Sequence, residues 1–584
     1  MRVFSLLLIA VFLFAINCHA QQWRTNTGWD ELQTGYGNSL PNGSGLDIAQ
    51  VEAPTVDGGY VPANNGSLFS TVTFINVSNL SDLDSPHATS VGSRFYGNTQ
   101  SIIRGGVNAH FYEVNDWVND KLGFLGQSDP VIQPYLVQNH SWIANAGISN
   151  SQATSILARS DYSANENNLS VIVGANNGSN SETPQLMAHG YNAITVGRTD
   201  GNHSRTTTRF YGSGRQKPEI VAPESVTSFT TPIVSSSATL LKTIAAGTDA
   251  EENEVIKSLI LAGATKTEFP DWSISSDIPL DDVFGVGELN IFNSYQIFLG
   301  GETDGQASFP MEPTGANGWD FGTINSGSSF SYLIELQEPA DHVSVVLTWN
   351  IAVEDLNNNP TLFTPGTSLS DLDLIFSGTS GAELSTSSNH NIEHIYARNL
   401  PAGNYLIVVD SSGLNPDPTV DYALAWRSAT LNDASAESVS VLQGVNSNGS
   451  LTDLQTSDGV FYELRPEASS ANQEFLSTIE LETTCPVDMA NSIQIDVDGL
   501  VSTPNIMQEV ELFNFVTGVY DSVSSDALST SQAEVSAYVN GEVLDYVDDS
   551  TRKLRARIRW RASGPVLQYP WTVRLDRVQW QISQ

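Results

Sequence analysis

Two cysteines in 584 residues is close to none. Cys18 falls in an N-terminal apolar leader, so Cys485 alone remains after processing, and one thiol makes no internal disulfide. Basic residues are also scarce: 25 Lys plus Arg stand against 65 Asp plus Glu, a formal charge of −40. That balance argues against nucleic acid as a partner, because phosphate binding needs a basic face. It suits a solvated surface in a salty or extracellular medium. No stretch outside the leader approaches 18 apolar residues, so no membrane span is expected. The charged fraction of 15% is low, while the apolar fraction of 40% is that of a globular chain.

What is present begins with that leader. Arg2 supplies a positive start, Ser5 to Ile16 are almost wholly apolar, and Cys18-His19-Ala20 forms a cleavage site. The expectation is a signal peptide over residues 1–20 and a secreted chain. At about 100–200 residues per domain the length suggests several domains. Residues 21–300 read as an α/β domain, 301–430 as a β-sandwich of jelly-roll type, and 431–584 as a second β-sandwich.

In the first region short apolar strands alternate with helical stretches. The strands include 46–51, 170–173 and 193–196; the helices are expected over 112–122, 231–246 and 251–262, the last with Asp249 as N-cap. Such alternation implies a parallel sheet covered by helices on both faces. Beyond residue 300 no helix is predicted. Strands at 343–349, 371–376 and 404–409 are separated by turns, a sandwich pattern. Near the end, Leu554, Ala556, Ile558 and Trp560 alternate with Arg555, Arg557, Arg559 and Arg561, which puts an apolar face inward and an arginine face outward. That arginine face pairs with the protein's own acids or meets a glycan or cell surface.

Three segments carry chemistry, in order. A strand ends in an acid at Glu52. His87-Ala88-Thr89-Ser90-Val91-Gly92-Ser93 opens a helix with a histidine. Thr227-Ser228-Phe229-Thr230-Thr231-Pro232 opens another with a serine, with Pro232 expected in its first turn. A serine near a helix start is ordinarily an N-cap, and a lone histidine ordinarily a core residue. Their order changes that reading. Serine attack on a carbonyl needs a base, and the base needs an acid to fix its tautomer. No G-x-S-x-G elbow is present, which weakens an α/β-hydrolase reading.

These segments resemble the subtilase family over residues 40–300. The His87 segment is similar to its His-Gly-Thr-His-Val-Ala-Gly motif, and Ser228 falls on the nucleophile of Gly-Thr-Ser-Met-Ala-x-Pro. Val173-Gly174-Ala175-Asn176-Asn177-Gly178 resembles Ala-Ala-Gly-Asn-x-Gly, which puts Asn176 on the oxyanion asparagine. Ser141 and Trp142 match the segment lining the primary specificity pocket, where Trp142 and Ile143 are bulky. Residues 192–197 and 284–290 add similarity, and residues 310–428 resemble a β-sandwich that follows some subtilase domains. The resemblance implies a serine endopeptidase with Ser228 as nucleophile, His87 as base and Glu52 as orienting acid, acting on protein or peptide substrates.

The chain departs from the pattern at four points. Glu52 stands where the family has aspartate, with Asp57, Asp82 and Asp84 as alternatives. Val226 and Ala88 replace glycines. Only about 24 residues separate the leader from the first strand, so no long propeptide is expected. An alternative reading is an inactive surface or adhesion protein that keeps the fold. No cofactor is required. Calcium is allowed as a structural ion, for which Asp371 and Asp373 share a strand face. His390-Asn391-Ile392-Glu393-His394 spells a zinc signature but runs into a strand, where its histidines would lie about 13 Å apart, so zinc is rejected.

Overall fold

A computed structural model describes residues 22–583, apart from 65, 79, 81–82, 145–146, 180–185, 267–268, 358–361, 379–380, 412–415, 469–474, 488–489, 491, 540–542, 549 and 565–568. The leader, Asp82 and the expected cleavage site at residue 20 lie outside the described residues. Two compact units divide the chain: one runs to Gln337 and resumes at His342–Ser428, and the other holds Glu338–Asp341 and Ala429–Gln584.

The first unit is built on a parallel sheet. Its strands are Asp47–Glu52 (β1), Thr73–Asn76 (β2), Asn108–Glu113 (β3), Val137–His140 (β4), Ser170–Gly174 (β5), Ala193–Arg198 (β6) and Ile220–Ala222 (β7), in the spatial order 2-3-1-4-5-6-7. The strands run as buried apolar stretches because both faces are covered. Alternation divides them between two layers. Ala49, Val51, Val171 and Val173 pack on one side with Ala153, Ile156 and Leu157 of the helix Asn150–Glu166. The other side is met by the helices Pro86–Tyr96 and Thr227–Ala245, as the bonds from Gln50 to the Ala88 carbonyl and from Ser235 to Asn139 show.

Several expected boundaries move. Residues 112–113 belong to β3, and the turns Val114–Asp116 and Trp117–Lys121 follow it, because Tyr112 continues the buried run that starts at Phe111. The helix expected at 231 begins at Thr227. Asp249 opens a short 3₁₀ turn, and Glu252 precedes the helix Asn253–Ala262 without a side-chain cap. The helices Trp29–Tyr36 and Ile291–Gly300 were not foreseen.

The same unit contains a β-sandwich. Ser329–Leu336, Gly403–Asp410, Asp373–Gly378 and Gly381–Ser385 pair antiparallel in one layer, and Asn317–Asn325 pairs with Thr419 to Arg427 in the other. His390 and His394 are buried and engaged apart from each other: His390 accepts from the Gln216 amide, and His394 meets the Pro279 carbonyl. Among the described residues no three His, Cys, Asp or Glu side chains come together to hold a metal ion, and calcium is taken no further. No described helix is long and apolar enough to cross a membrane.

The second unit is all β. Ser438–Gln443, Phe475–Thr484, Lys553–Ala562, Ile506–Asn514 and Val519–Ala527 form one sheet. Trp560, Trp571 and Trp580 fill its core. The arginines of Lys553–Ala562 do face outward, and three of them are paired across strands: Arg555 with Glu482 at 2.8 Å, Arg557 with Glu511 at 2.6 Å and Arg559 with Glu509 at 3.5 Å.

A buried ion cluster anchors the approach to the Ser228 helix. Glu219, just before β7, meets Lys217 at 2.6 Å and Lys257 at 3.3 Å. Burial opposes the charge of Glu219, but the two ammonium groups hold its carboxyl below the usual range. Breaking a buried pair by neutralising one partner costs about 3–5 kcal/mol. Glu219→Gln is therefore expected to lower the first urea unfolding midpoint markedly, and an unchanged midpoint would show the cluster to be energetically idle.

Candidate active site

The site lies where β1, β5 and two helix N-termini converge. Ser85 caps the helix Pro86–Tyr96, its hydroxyl accepting from the Ala88 amide at 3.2 Å, with Pro86 in the first turn. The cap places His87 at the open end. Its Nδ1 lies 2.8 Å from Glu52 Oε2. The Glu52 side chain is fully buried, while that of His87 is 43% exposed. A carboxylate only accepts, so Nδ1 carries the proton and Nε2 keeps its lone pair. Asp57 and Asp84 are exposed and bond to His87 nowhere. The extra methylene of Glu52 is thus accommodated by burial at the strand end. The hydrogen bond that His87 donates to Glu52 raises the His87 pKa above 6.5, against the opposing pull of burial, and the charge of Glu52 adds to it.

Ser228 is the second residue of Thr227–Ala245 and not its cap. Val226 precedes the helix at φ −147°, ψ 151°, an extended conformation any residue adopts, which explains how valine stands where a glycine was expected. Ala88 is equally untroubled, being an ordinary buried helical residue. The helix start is capped from elsewhere: Asn177 Oδ1 accepts from the Thr227 amide at 2.9 Å and from its hydroxyl at 3.1 Å.

Pro232 lies in the second turn rather than the first. It has no N–H to give the Ser228 carbonyl, its partner four residues back. The Ser141 hydroxyl supplies the missing donor at 3.1 Å. Ser141 is therefore a strut beneath Ser228 as well as a wall of the cleft. The Ser228 hydroxyl points to the Ser141 carbonyl at 3.5 Å, and no hydrogen bond joins it to His87. The two helices nonetheless pack together on one sheet face, with Arg94 stacked 4.1 Å over the Phe229 ring and paired to Glu224 at 2.5 Å.

A cleft of about 90 Å³ opens beside Ser228, lined by Ser141, Trp142, Ile143, residues 174–177 and Thr227. Asn176 faces it with a side-chain amide free of hydrogen bonds among the described residues, while its backbone is held by Ser204 through bonds of 3.0 and 2.7 Å. Among the described residues the Ser228 backbone N–H likewise has no partner. Trp142 forms one wall. Its indole N–H donates to His140 Nδ1 at 3.2 Å, and His140 Nε2 meets Gln138 at 3.2 Å. Burial pushes the His140 pKa down to about 3, so the ring stays neutral and fixes the indole.

Sequence reasoning missed Asn177, Gln50 and Tyr96. The doubled asparagine before Gly178 was the available signal for the first. Nothing local marked the other two.

No family model and no curated protein matches the chain. Similar solved structures include a protease from Pseudoalteromonas arctica, at 14% identity over 47% of this chain and 98% of that one, with a TM-score of 0.29. Fervidolysin from Fervidobacterium pennivorans, described as a keratinolytic enzyme related to subtilisin, is 12% identical over 88% of this chain and 68% of its own, with a TM-score of 0.31. The subtilase cytotoxin SubAB structure gives 14% identity over 47% and 96%, with a TM-score of 0.34. The chemistry of the site rests on its own geometry.

That geometry makes a direct statement about His87. An NMR titration of the wild-type chain is expected to place its pKa above 6.5, and Glu52→Gln is expected to bring it down. The same value in both proteins would remove Glu52 from its role.

Proposed function

We propose that the chain is a secreted serine endopeptidase. The observation that carries the reading is a fully buried carboxylate bonded to the exposed histidine of a helix that packs against the Ser228 helix. The nucleophile's hydroxyl turns from Ser141 toward His87 as substrate binds; such contacts are often loose in unliganded sites. Ser228 Oγ attacks the scissile carbonyl while His87 Nε2 takes its proton. Glu52 stabilises the imidazolium that forms. The negative charge on the carbonyl oxygen is met by the Asn176 amide and the Ser228 N–H at the positive end of the helix. His87 then protonates the leaving amine, and water repeats the sequence on the acyl-enzyme.

The cleft suggests what side chain enters beside Ser228. An engineered cavity of about 150 Å³ holds a benzene ring. At about 90 Å³ this cleft is too small for one, and its wall Trp142 is pinned. The reading is therefore a preference for a small aliphatic residue on the acyl side of the cleaved bond. The second unit retains its proposed glycan or cell-surface contact. With Arg555, Arg557 and Arg559 paired to glutamates, a neutral sugar suits that arginine face better than a polyanion.

The alternative, an inactive scaffold of the same fold, is separated by a fluorophosphonate probe. Labelling of the wild type and its loss in Ser228→Ala is the expected result; folded wild-type protein that takes no label would favour the scaffold. Asn176→Leu is expected to reduce kcat by about 10²–10³ with KM little changed. Trp142→Gly is expected to raise kcat/KM for phenylalanine over alanine substrates by about tenfold or more. An unaltered preference would show that the cleft does not read the substrate.

A further inference from the structure

Resting on the peptidase reading, a second set of residues belongs to the machinery. β1 alternates, so Gln50 and Glu52 lie on the same face of the sheet. Both are fully buried. Gln50 Nε2 donates to Glu52 Oε1 at 2.7 Å and to the Ala88 carbonyl at 3.0 Å. Its Oε1 accepts from the Tyr96 hydroxyl at 2.5 Å. The orientation of the amide follows from chemistry. Glu52 and the Ala88 carbonyl only accept, so both N–H groups must face them, and the oxygen is left for Tyr96. Burial, with the charge of Glu52 added, pushes the Tyr96 pKa well above its ordinary value, so the phenol stays protonated and donates. Gly92 makes room for this contact: a methyl group there would come within 2.5 Å of the Tyr96 oxygen and 3.1 Å of Gln50 Oε1. The result is a chain Tyr96–Gln50–Glu52–His87 running from the core to the cleft.

We propose that Gln50, aimed by Tyr96, is a positioning residue that holds the Glu52 carboxylate in line with His87. Each Glu52 oxygen then has one side-chain donor. The need is greatest when His87 is neutral, the state that begins the reaction. With His87 protonated, the carboxylate faces a cation. With His87 neutral, it has no counter-charge, and the Gln50 N–H weighs more beside the Nδ1–H. Removing that donor destabilises the neutral state more than the imidazolium state, so His87 would keep its proton to higher pH and be less available as a base near neutrality.

Titratable groups on the surrounding elements are engaged elsewhere. Glu113, beside Glu52 on β3, accepts from the Asn115 and Asp116 amides at 3.0 and 3.1 Å. Arg94 pairs with Glu224, His140 on β4 bonds Trp142, and Lys242 of the Ser228 helix bonds the Asn168 carbonyl at 2.8 Å. Asp84, ahead of the His87 helix, is exposed.

The test is Gln50→Met in the full chain, a substitution of similar volume without the donor. A charge-assisted hydrogen bond lost from the neutral-His87 state predicts a rise of about one unit in the His87 titration seen by NMR. The acid limb of kcat/KM is expected to move by the same amount, with activity recovering at higher pH as a merely structural defect would not allow. Tyr96→Phe is expected to move both in the same direction by less, and it serves if Gln50→Met fails to fold. An unchanged His87 titration in a folded variant overturns the proposal. The NMR arm reads Gln50 whether or not the chain cleaves peptides, whereas loss of the peptidase reading shows as folded wild-type protein that takes no fluorophosphonate label.

Discussion

Everything at this site depends on burying the carboxylate of Glu52. A buried carboxylate survives as an anion only if its oxygens find donors. Here the end of a parallel strand removes it from water, and His87 and Gln50 supply one donor each. Burial also makes the carboxylate useful: an acid left in water would orient the imidazole less firmly and stabilise its cation less.

A second constraint acts on Ser228. Pro232 deprives the Ser228 carbonyl of its helical partner, and Ser141 replaces it. Asn177 does the same for the opening amide of that helix. Both replacements come from loops that also line the cleft. The helix start is therefore held by the very segments that line the cleft, so Ser228, the cleft wall and Asn176 are tied into one block. The segment before it is anchored by Glu219 between two lysines, in a part of the core where no water could screen them.

Much of the fold was legible because it rests on local periodicity. Runs such as Val171-Ile172-Val173 announce strands buried on both faces, and the alternation from Leu554 to Trp560 announced a one-sided sheet. Boundaries were less legible. The helix at Thr227 starts without a side-chain cap of its own, so the nearby proline was misread as its first turn. Tyr112 was assigned to a helix because the turns after β3 share its composition. The arginine face was visible, but its cross-strand glutamates, Glu482, Glu509 and Glu511, lie tens of residues away in the chain.

The sequence by itself determined the kinds of chemistry available: a hydroxyl, an imidazole and an acid in a given order, almost no cysteine and few cations. Those follow from residue identity and short-range pattern. Only the tertiary structure decided which carboxylate meets His87, that Ser141 supports Ser228, that Asn177 caps the helix while Asn176 stays free, and that Gln50 and Tyr96 stand behind Glu52. Each of these is a contact across dozens of residues, set by strand register and helix packing. A hydrogen bond is decided within a few tenths of an ångström, and no local pattern carries that information.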